Sequence, residues 1–378
     1  APLKDLPAPL KTLVERRWNA IDEAVAERGV DLALDASLSA QLVEVLAVSD
    51  FVGETFERYP ELLAELAASG GLERDDARDD YAAALQRALA EVADRDDLMA
   101  RLRAFRRREM VRIAWRDLAG CAELADTLAD LSTLADVCVD AALNQLREWL
   151  RAEWGEPVDA AGQSQGLVVI GMGKLGAGEL NFSSDIDLIF AFGEEGETTG
   201  GRRQTSNGQY FIRLAQQLID VLDRPTTEGR VFRVDARLRP FGDGGQLALS
   251  FDAMEAYYQV HGREWERYAL IKARVIAGDR EAGARLMQQL KPFVFRRYLD
   301  FGAFESLRDM KALISRQVKR KGLQGNVKLG PGGIREVEFI GQAFQLIRGG
   351  REPELQAREI LTVLARLTEL DYLPQFVC

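Results

Sequence analysis

Hydrophobic spacing divides the chain into three regions. Over residues 1 to about 150 the chain is rich in Ala and Leu, and apolar positions recur at the spacing of one helix face. From residue 167 to 251 short apolar runs of strand type alternate with one long helix, predicted over 209–222. After residue 252 helical periodicity returns and continues to about residue 370. The pattern predicts an α+β fold that is predominantly helical, in which helical regions flank a small mixed sheet.

These regions predict four segments. An N-terminal helical region covers residues 1–155, and a linker covers 156–166, where the sequence has several small residues and no periodicity. The sheet-containing domain covers 167–278, and a C-terminal helical domain covers 279–378. A chain of 378 residues is long for one hydrophobic core, so more than one domain is expected.

Composition and charge narrow the class of protein. With 47 % hydrophobic and 29 % charged residues the composition is that of a globular protein, and no apolar run approaches the ~20 residues needed to span a bilayer. The formal net charge of -11 argues against binding to DNA or RNA, which requires a basic surface. Three cysteines without zinc spacing indicate a reducing cytoplasm. Because the chain begins with Ala1 rather than Met, we expect it to be part of a longer protein.

The N-terminal region also contains a concentration of arginines. Seven of them occur between Arg101 and Arg116, and the acidic stretch Glu73–Asp97 precedes them. Opposite charges close together in a helical region predict a salt-bridged helix surface rather than a basic binding surface.

The stretch VVIGMGKLGAGELNFSSDIDLIF, from Val168 to Phe190, carries two signatures. Its glycines Gly171, Gly173 and Gly176 match the dinucleotide-binding fingerprint, which would indicate a redox cofactor. However, only residues 177–184 separate this loop from the next strand, too few for the crossover helix of a βαβ unit. A Walker phosphate loop is excluded as well, because no Gly-Lys-Ser/Thr follows. What remains is a glycine turn followed closely by a strand with acidic residues at its start.

The two acidic residues of that strand are Asp185 and Asp187. They are two positions apart, so their side chains leave the same face of the strand, with Cα atoms about 6.6 Å apart. The opposite face is apolar and is predicted to lie in the core: Ile186, Leu188, Phe190 and Phe192. Two carboxylates side by side can bracket a pair of Mg²⁺ ions. The alternative is a pair of solvated acids, but the glycine turn upstream favours the metal site.

A third carboxylate comes from the segment Arg230–Pro240, RVFRVDARLRP, which alternates as a strand does. One face of the predicted strand carries Asp235 together with Arg233, Arg237 and Arg239. Next to the first strand, Asp235 would complete a cluster of three metal ligands, and the arginines would clamp phosphate oxygens. The alternative is a solvated face of ion pairs. The Pro-Phe-Gly-Asp-Gly-Gly turn directly after the charged residues favours the functional interpretation.

A glycine loop, an Asp-x-Asp strand start and a distant Asp form a pattern that resembles the DNA polymerase beta-like nucleotidyltransferase superfamily. Within it, the chain resembles the N-terminal half of the bacterial glutamine synthetase adenylyltransferase family. That family attaches an adenylyl group to a tyrosine of glutamine synthetase and also removes it. The resemblance covers nearly the whole chain and is carried by the motifs at 49–63, 106–118, 171–190, 233–245, 262–279, 291–301 and 326–339.

The resemblance implies an activity, its cofactors and its partners. The first of the family's two nucleotidyltransferase domains is the deadenylylase, which uses orthophosphate to convert adenylyl-tyrosine into tyrosine and ADP. We therefore expect Mg²⁺, as two ions and with Mn²⁺ as an alternative, and two protein partners: adenylylated glutamine synthetase and the uridylylated form of the PII signal protein. No nucleic acid or membrane partner is expected. Two other functions stay open: an adenylyltransferase using ATP in the forward direction, and a regulatory module that binds PII and glutamine synthetase.

The resemblance also assigns roles to individual residues. Asp185, Asp187 and Asp235 are expected to hold the metal ions. Phosphate binding is assigned to Gly171, Gly173, Lys174, Gly176, Ser184, Arg237, Arg239, Gly332 and Gly333. Two of these, Gly332 and Gly333, belong to a Gly-Pro-Gly-Gly loop before a predicted helix, whose free N–H groups would receive orthophosphate; a simple turn is the equal alternative. Nearby, Glu336 and Glu338 either reach the metal site or stabilise the helix start.

One position departs from the family pattern. Ala177 stands where a glycine is more usual in the family, and we expect its methyl group to be tolerated unless the backbone needs a positive φ. The single histidine, His261, is expected at a helix end, without a role as a general base.

Overall fold

The computed structural model describes residues 6–73, 78–297, 326–328 and 330–375, together with isolated residues between 298 and 325. The predicted α+β fold is confirmed, and 62 % of the residues are helical. The chain divides into two compact units. The first unit contains Ala1–Ala141, Leu180–Ser183 and Pro225–Val231, and the second contains Ala142–Glu179, Ser184–Arg224 and Phe232–Cys378. The four segment boundaries drawn from the sequence stay a prediction.

The first unit is built from helices. They are α1 (Ala8–Arg28), α2 (Ala36–Val48), α3 (Asp50–Arg58), α4 (Pro60–Ala68), α5 (Arg78–Ala88), α6 (Arg95–Leu118) and the first part of α7 (Leu124–Trp154). Polar side chains cap the N-terminal ends of several of these helices. For example, the Asp35 carboxylate accepts a hydrogen bond from the Leu38 N–H at the start of α2. The apolar faces of α1, α2, α3 and α6 meet in one core around Leu46, Phe56 and Trp115. The motif at 49–63 therefore forms two helices of this core.

The arginines of α6 lie deeper than the sequence pattern predicts. Arg112 and Arg116 are among the largest fully buried side chains, and Arg103 is also buried. The expectation of a salt-bridged helix surface is wrong for these residues, because the helix is covered by neighbouring helices on more than its apolar side. The ion pairs themselves are present, as between Arg112 and Glu109.

The second unit contains a five-stranded mixed sheet. Its strands are β2 (Val168–Met172), β3 (Ile186–Phe192), β5 (Val234–Asp235), β6 (Ala248–Ser250) and β7 (Arg274–Gly278). The order is β5–β3–β2–β7, and β6 also pairs with β3. β2 is antiparallel to β3 and β7, whereas β3 is parallel to β5 and β6. An antiparallel β2–β3 pair needs no crossover helix, which confirms the rejection of the dinucleotide fold.

Helices surround this sheet. They are α8 (Gly173–Ala177), α9 (Asn207–Asp223), α10 (Phe251–Val260), α11 (Glu264–Leu270), α12 (Arg280–Val294), α13 (Ile334–Arg348) and α14 (Ile360–Glu369). Apolar residues of β2 and β3 pack with α10, α12 and α13 in one core that includes Ile170, Leu286 and Phe339. The predicted long helix corresponds to α9. His261 follows the last residue of α10, as expected.

Two short strands lie outside the main sheet. β1 (Glu156–Pro157) pairs antiparallel with β4 (Thr198–Thr199). The segment predicted as a linker therefore contains a strand. Among the described residues no single helix is long and apolar enough to span a bilayer, and only the bent pair of α2 and α3 matches the required length and composition. Cys121 and Cys138 are free thiols, and Cys378 lies outside the described residues.

The prediction of one long strand over Arg230–Pro240 is wrong in its extent. Only Val234 and Asp235 form a strand. The strand ends because the Asp235 carboxylate accepts the backbone N–H of Arg237 at 2.8 Å, which turns the chain. A second turn follows, in which the Arg239 N–H donates to the Ala236 carbonyl at 3.4 Å. Side chains beyond Asp235 therefore do not alternate between two faces.

Candidate active site

The start of β3 places its two acids as the alternation predicts. Asp185 precedes the strand and Asp187 is its second residue. The opposite face is fully buried, with Ile186, Leu188, Phe190 and Phe192 at most 1 % exposed. Because that apolar face fixes the register of the strand, both acids must leave the sheet on the same side.

The neighbouring strand brings the third acid to Asp187. In the parallel pairing of β3 with β5, Asp187 stands directly opposite Asp235. Paired positions on neighbouring strands are about 4.8 Å apart and their side chains point to the same face. The predicted juxtaposition of these two carboxylates is therefore present. Within the described part of the chain, however, no three Asp, Glu, His or Cys side chains are close enough together, as they stand, to hold one metal ion.

Arginines pair with two of the three acids. The Arg233 guanidinium pairs with Asp185 at 2.5 Å. The Arg237 Nε atom donates to the two oxygens of Asp235 at 3.0 and 2.9 Å. These hydrogen bonds from Arg237 hold the pKa of Asp235 below its usual value. Two of the three carboxylates are thus neutralised by neighbouring guanidinium groups.

Asp187 has a different electrostatic environment. Burial raises the pKa of Asp187 to about 6, the negative charges of Asp235 and Asp185 add to this rise, and Arg237 and Lys328 oppose it. Among the described residues none donates a hydrogen bond to this carboxylate. A half-buried carboxylate beside two others is stabilised by a cation that binds between them. The Asp187–Asp235 pair therefore fits a divalent metal ion, with Asp185 available if it exchanges Arg233 for the ion.

The glycine loop forms the short helix α8, and its three glycines have different surroundings. Gly173 has a φ of 54°, and a Cβ atom there would lie 2.9 Å from an Asp187 carboxylate oxygen. The absence of a side chain at Gly173 therefore leaves space beside the Asp187 carboxylate. Gly171 lies in β2, where a Cβ would approach the Ile276 side chain to 2.8 Å, and at Gly176 it would approach the Lys272 carbonyl to 1.9 Å. Packing alone thus requires glycine at 171 and 176; a role of the loop in phosphate binding stays a prediction.

Ala177 ends α8 in a helical conformation and is buried. The left-handed position is the next residue, Gly178, with a φ of 76°. The methyl group of Ala177 is therefore accommodated, as expected. Lys174 and Ser184 are half-buried, and their assigned contacts with phosphate stay predictions.

Two basic residues of β7 and its approach hold α8 in place. The Arg274 guanidinium donates to the carbonyls of Leu175 at 2.9 Å and Gly176 at 3.2 Å. The buried Lys272 ammonium donates to Glu179 at 3.2 Å and to Glu338 at 2.7 Å. Glu338 is thus engaged with Lys272 rather than with the carboxylate site. Sequence patterns did not indicate Lys272 or Arg274, although both lie within the motif at 262–279.

The N–H groups of the Gly-Pro-Gly-Gly loop before α13 donate hydrogen bonds to acceptors in the same segment of the chain. Those of Gly333 and Ile334 donate to the Gly330 and Val327 carbonyls. The Gly332 N–H donates to the Glu336 carboxylate at 2.7 Å. The prediction of free N–H groups for orthophosphate is therefore wrong for this conformation, and the loop is a turn closed by Glu336.

The same loop contributes a different residue to the site. Lys328 acts electrostatically on Asp187, although the two residues are far apart along the chain. Arg239, by contrast, donates to the carbonyls of Ala236 at 2.7 Å and Gly245 at 3.4 Å, so it holds the turn after β5. The site residues predicted from this motif were its glycines, and Lys328 was not among them.

Comparison with known proteins identifies related families and relatives. The family model described as glutamate-ammonia ligase adenylyltransferase matches residues 39–289, and a model described as GlnD PII-uridylyltransferase matches residues 308–377. Three curated relatives carry the name bifunctional glutamine synthetase adenylyltransferase/adenylyl-removing enzyme.

The relatives match almost all of this chain and a part of their own length. The protein from Nitrosococcus oceani is 53 % identical over 377 residues, which are 100 % of this chain and 39 % of the relative. The protein from Thioalkalivibrio sulfidiphilus is 54 % identical over 98 % of this chain and 38 % of its own. The protein from Pseudomonas aeruginosa is 51 % identical over 99 % of this chain and 39 % of its own length. The chain thus spans about two fifths of the length of these relatives, and it belongs to the glutamate-ammonia ligase adenylyltransferase family.

Proposed function

We propose that this chain is a nucleotidyltransferase-type enzyme that removes the adenylyl group from a tyrosine of glutamine synthetase. The observation that carries the proposal is the Asp187–Asp235 pair, two carboxylates on adjacent strands with arginines beside them and a glycine opposite. Such a site suits a phosphoryl group and a cation. The names of the relatives, which include an adenylyl-removing activity, supply the substrate.

The proposed reaction is phosphorolysis. An orthophosphate oxygen forms a bond to the phosphorus of adenylyl-tyrosine, and the bond from that phosphorus to the phenolic oxygen breaks. The products are ADP and a phenolate, whose ordinary pKa of about 10 means that it takes up a proton from solvent at neutral pH. Orthophosphate is already anionic, so its attack needs no strong general base. Catalysis then depends on positioning and on stabilisation of negative charge.

Asp187 and Asp235 would hold the divalent ions, for which we propose Mg²⁺ with Mn²⁺ as the alternative. Asp185 is the third proposed ligand and would leave Arg233 to take that role. Magnesium supplies neutralisation of phosphoryl oxygens and of the departing phenolate when it is bound. Gly173 contributes by having no side chain, because a Cβ would occupy space next to the Asp187 carboxylate.

Positive side chains around the carboxylates would bind the phosphate groups. Arg237 is 72 % exposed beyond its contact with Asp235, so its guanidinium is accessible to a ligand. Lys328 acts on Asp187 from the loop before α13, and we propose that it, rather than the N–H groups of Gly332 and Gly333, attracts orthophosphate. Lys174 and Ser184 remain further proposed contacts of the glycine loop. Arg239 would act through the turn that it holds.

The partners beyond glutamine synthetase are part of the same proposal. The PII signal protein in its uridylylated form would regulate the reaction, which would take place in the cytoplasm without nucleic acid. The forward reaction, in which ATP adenylylates a protein, is the second candidate because the relatives' names also include adenylyltransferase. A purely regulatory module is disfavoured, since a like-charged pair such as Asp187–Asp235 costs stability and gains nothing from protein binding elsewhere.

Product analysis tests the proposal. Glutamine synthetase carrying a labelled adenylyl group is incubated with this chain and Mg²⁺, with and without orthophosphate. We expect label to be released as ADP and only when orthophosphate is present. Release of AMP, or a rate that does not depend on orthophosphate, would reject phosphorolysis. Label that is incorporated from ATP and not released would favour the forward reaction.

A further inference from the structure

The turn after β5 contains a backbone conformation that is unfavourable for its residue. Phe241 has a φ of 60° and a ψ of 8°, in the left-handed region. A bulky side chain is rarely found there, and glycine adopts it without cost. The described residues include three non-glycine residues with positive φ, Glu91, Phe241 and Asp371, and Phe241 is the aromatic one. Such strain persists only where the surrounding structure over-determines it, and it is concentrated at functional sites.

The Phe241 ring is also exposed in an unusual way. Its exposed fraction is 60 %, although a phenyl ring gains from burial. On its inner side it packs edge-to-face against Tyr257, with ring centroids 4.5 Å apart, and lies 5.6 Å from the His261 ring. Tyr257 is itself fixed, because its hydroxyl donates to the buried Glu266 carboxylate at 2.7 Å. The ring is therefore held in one orientation while much of its surface faces solvent.

Short contacts connect this ring to the carboxylate site. The Arg239 guanidinium fastens the turn to the end of β5 through the Ala236 carbonyl at 2.7 Å, and the Gly242 N–H donates to the Arg239 carbonyl at 2.9 Å. The same Arg239 guanidinium lies 3.8 Å from the Asp243 carboxylate on the far side of the turn. Contacts within one short turn thus join the residues around Phe241 to the end of β5, where Asp235 stands.

We propose that the exposed face of Phe241 is the stacking surface for the purine base of the nucleotide. This inference rests on the proposed function, since it requires an adenylyl group at Asp187 and Asp235. A flat ring on the turn that follows Asp235 offers a base what the charged residues cannot, which is apolar contact with its π face. Because Tyr257 and His261 already hold the ring, stacking costs little side-chain entropy. The left-handed backbone at Phe241 is then the conformation that presents the ring outward.

Binding of two ligands to matched variants tests the proposal. The ligands are ADP and inorganic pyrophosphate, which shares the phosphates and lacks the base; their dissociation constants are measured calorimetrically with Mg²⁺. The variants are Phe241→Leu, which keeps an apolar side chain at the same backbone position, Phe241→Gly and Phe241→Tyr. Circular dichroism and the thermal midpoint check that each variant is folded.

We expect Phe241→Leu and Phe241→Gly to weaken ADP binding about 5- to 150-fold, the equivalent of the ~1–3 kcal/mol that one base gains by stacking. Pyrophosphate binding should change less than twofold, and Phe241→Tyr should bind ADP about as the parent does. Equal weakening for both ligands, or unchanged ADP binding in the Leu and Gly variants, would overturn the stacking role. If the parent chain binds pyrophosphate but not ADP, the proposed nucleotide site fails together with it. Loss of binding to glutamine synthetase with unchanged ADP binding would instead assign Phe241 to a protein contact.

Discussion

Two charged clusters, one in each compact unit, are assembled from the same kinds of residue in opposite ways. In the first unit Arg112 is fully buried, and its guanidinium pairs with Glu109 at 2.8 Å and lies 3.6 Å from Asp130. It also donates to the Tyr81 hydroxyl. In the second unit Asp187 faces Asp235, a group of the same charge. The first cluster matches each charge with an opposite one, whereas the second leaves Asp187 beside two like charges that have their own arginine partners.

The difference separates a structural role from a functional one. A buried charge with partners on every side is satisfied, and its removal leaves those partners unpaired. An ionised carboxylate whose pKa is raised by burial and by other carboxylates is in an unfavourable state, which protonation or a bound cation relieves. We therefore expect changes at Arg112 to lower stability, and changes at Asp187 to lower activity. Four predictions follow from this contrast, from the largest effect to the smallest.

The largest effect is expected on turnover when the like-charged pair is neutralised. Asp187→Asn should reduce the rate of adenylyl removal by about 10³-fold or more, because it deletes a charge that stabilises the reacting groups through the metal. The rate is measured at saturating Mg²⁺ and orthophosphate. Asp220→Asn is the matched control. Asp220 on α9 forms an exposed ion pair with Arg224, so this substitution should leave turnover almost unchanged. A variant at 187 that keeps normal turnover would remove this acid from the site.

The next effect is on stability at the charge-matched cluster. Arg112→Met should lower the free energy of unfolding by about 3 kcal/mol, because the buried Glu109 keeps only Arg108 as its cation and the Tyr81 hydroxyl loses its donor. Turnover per folded molecule should stay near the parent value. Chemical denaturation measures the first quantity and active-site titration the second. Arg28→Met is the control: the Arg28–Glu61 pair is exposed, so about 1 kcal/mol or less is expected. If Arg112→Met lowers the free energy of unfolding as little as Arg28→Met does, the contrast between the two clusters is contradicted.

A third prediction concerns the pH dependence of metal binding. Because the pKa of Asp187 is about 6, protons compete with Mg²⁺ for this carboxylate as the pH falls through 6. The Mg²⁺ affinity should be constant above about pH 7 and about tenfold weaker at pH 5. Asp235 does not add to this window, since Arg237 lowers its pKa. Mg²⁺ titrations between pH 5 and 8 measure the effect, and Asp187→Asn should lose this pH dependence together with most of its affinity.

The smallest effect is on the stability of the metal-free protein. The folded-state pKa of Asp187 lies above its unfolded value, so the ionised carboxylate opposes folding above about pH 6, and this cost disappears below about pH 4, where the group is protonated in both states. Asp187→Asn should therefore raise the free energy of unfolding at pH 7 to 8 and leave it almost unchanged at pH 3.5. Denaturation curves at both pH values in the presence of a chelator decide the point. A destabilised variant at pH 7 would show that Asp187 is paired like Arg112.

Much of the site follows from local features of the chain. Strand periodicity is a property of backbone geometry, so the buried face of β3 and the common side of Asp185 and Asp187 could be predicted from spacing alone. The length of the segment after Gly176 likewise excludes a crossover helix. The neighbour of β3 was predicted correctly as the strand with Asp235, because an alternating segment ending in a turn favours pairing.

Other features of the site depend on groups that meet only in the folded chain. Alternation suggested a strand as far as Pro240, yet the hydrogen bond from the Arg237 N–H to Asp235 ends it after two residues. Loop composition suggested free N–H donors at Gly332 and Gly333, but the Glu336 carboxylate and the Gly330 carbonyl use them. In both cases a competing acceptor lies close in space, and its position depends on side-chain rotamers and turns that periodicity does not describe.

The fold class, the family and the acids that face one another could be predicted from the sequence, because these depend on periodicity and on motifs a few residues long. The tertiary structure, in contrast, determines which charges are matched. It buried Arg112 among acids, joined Lys272 to Glu179 and Glu338, and brought Lys328 within reach of Asp187. Electrostatic energies vary with distance and burial rather than with separation along the chain, so the state of each charged group is a property of the packed protein.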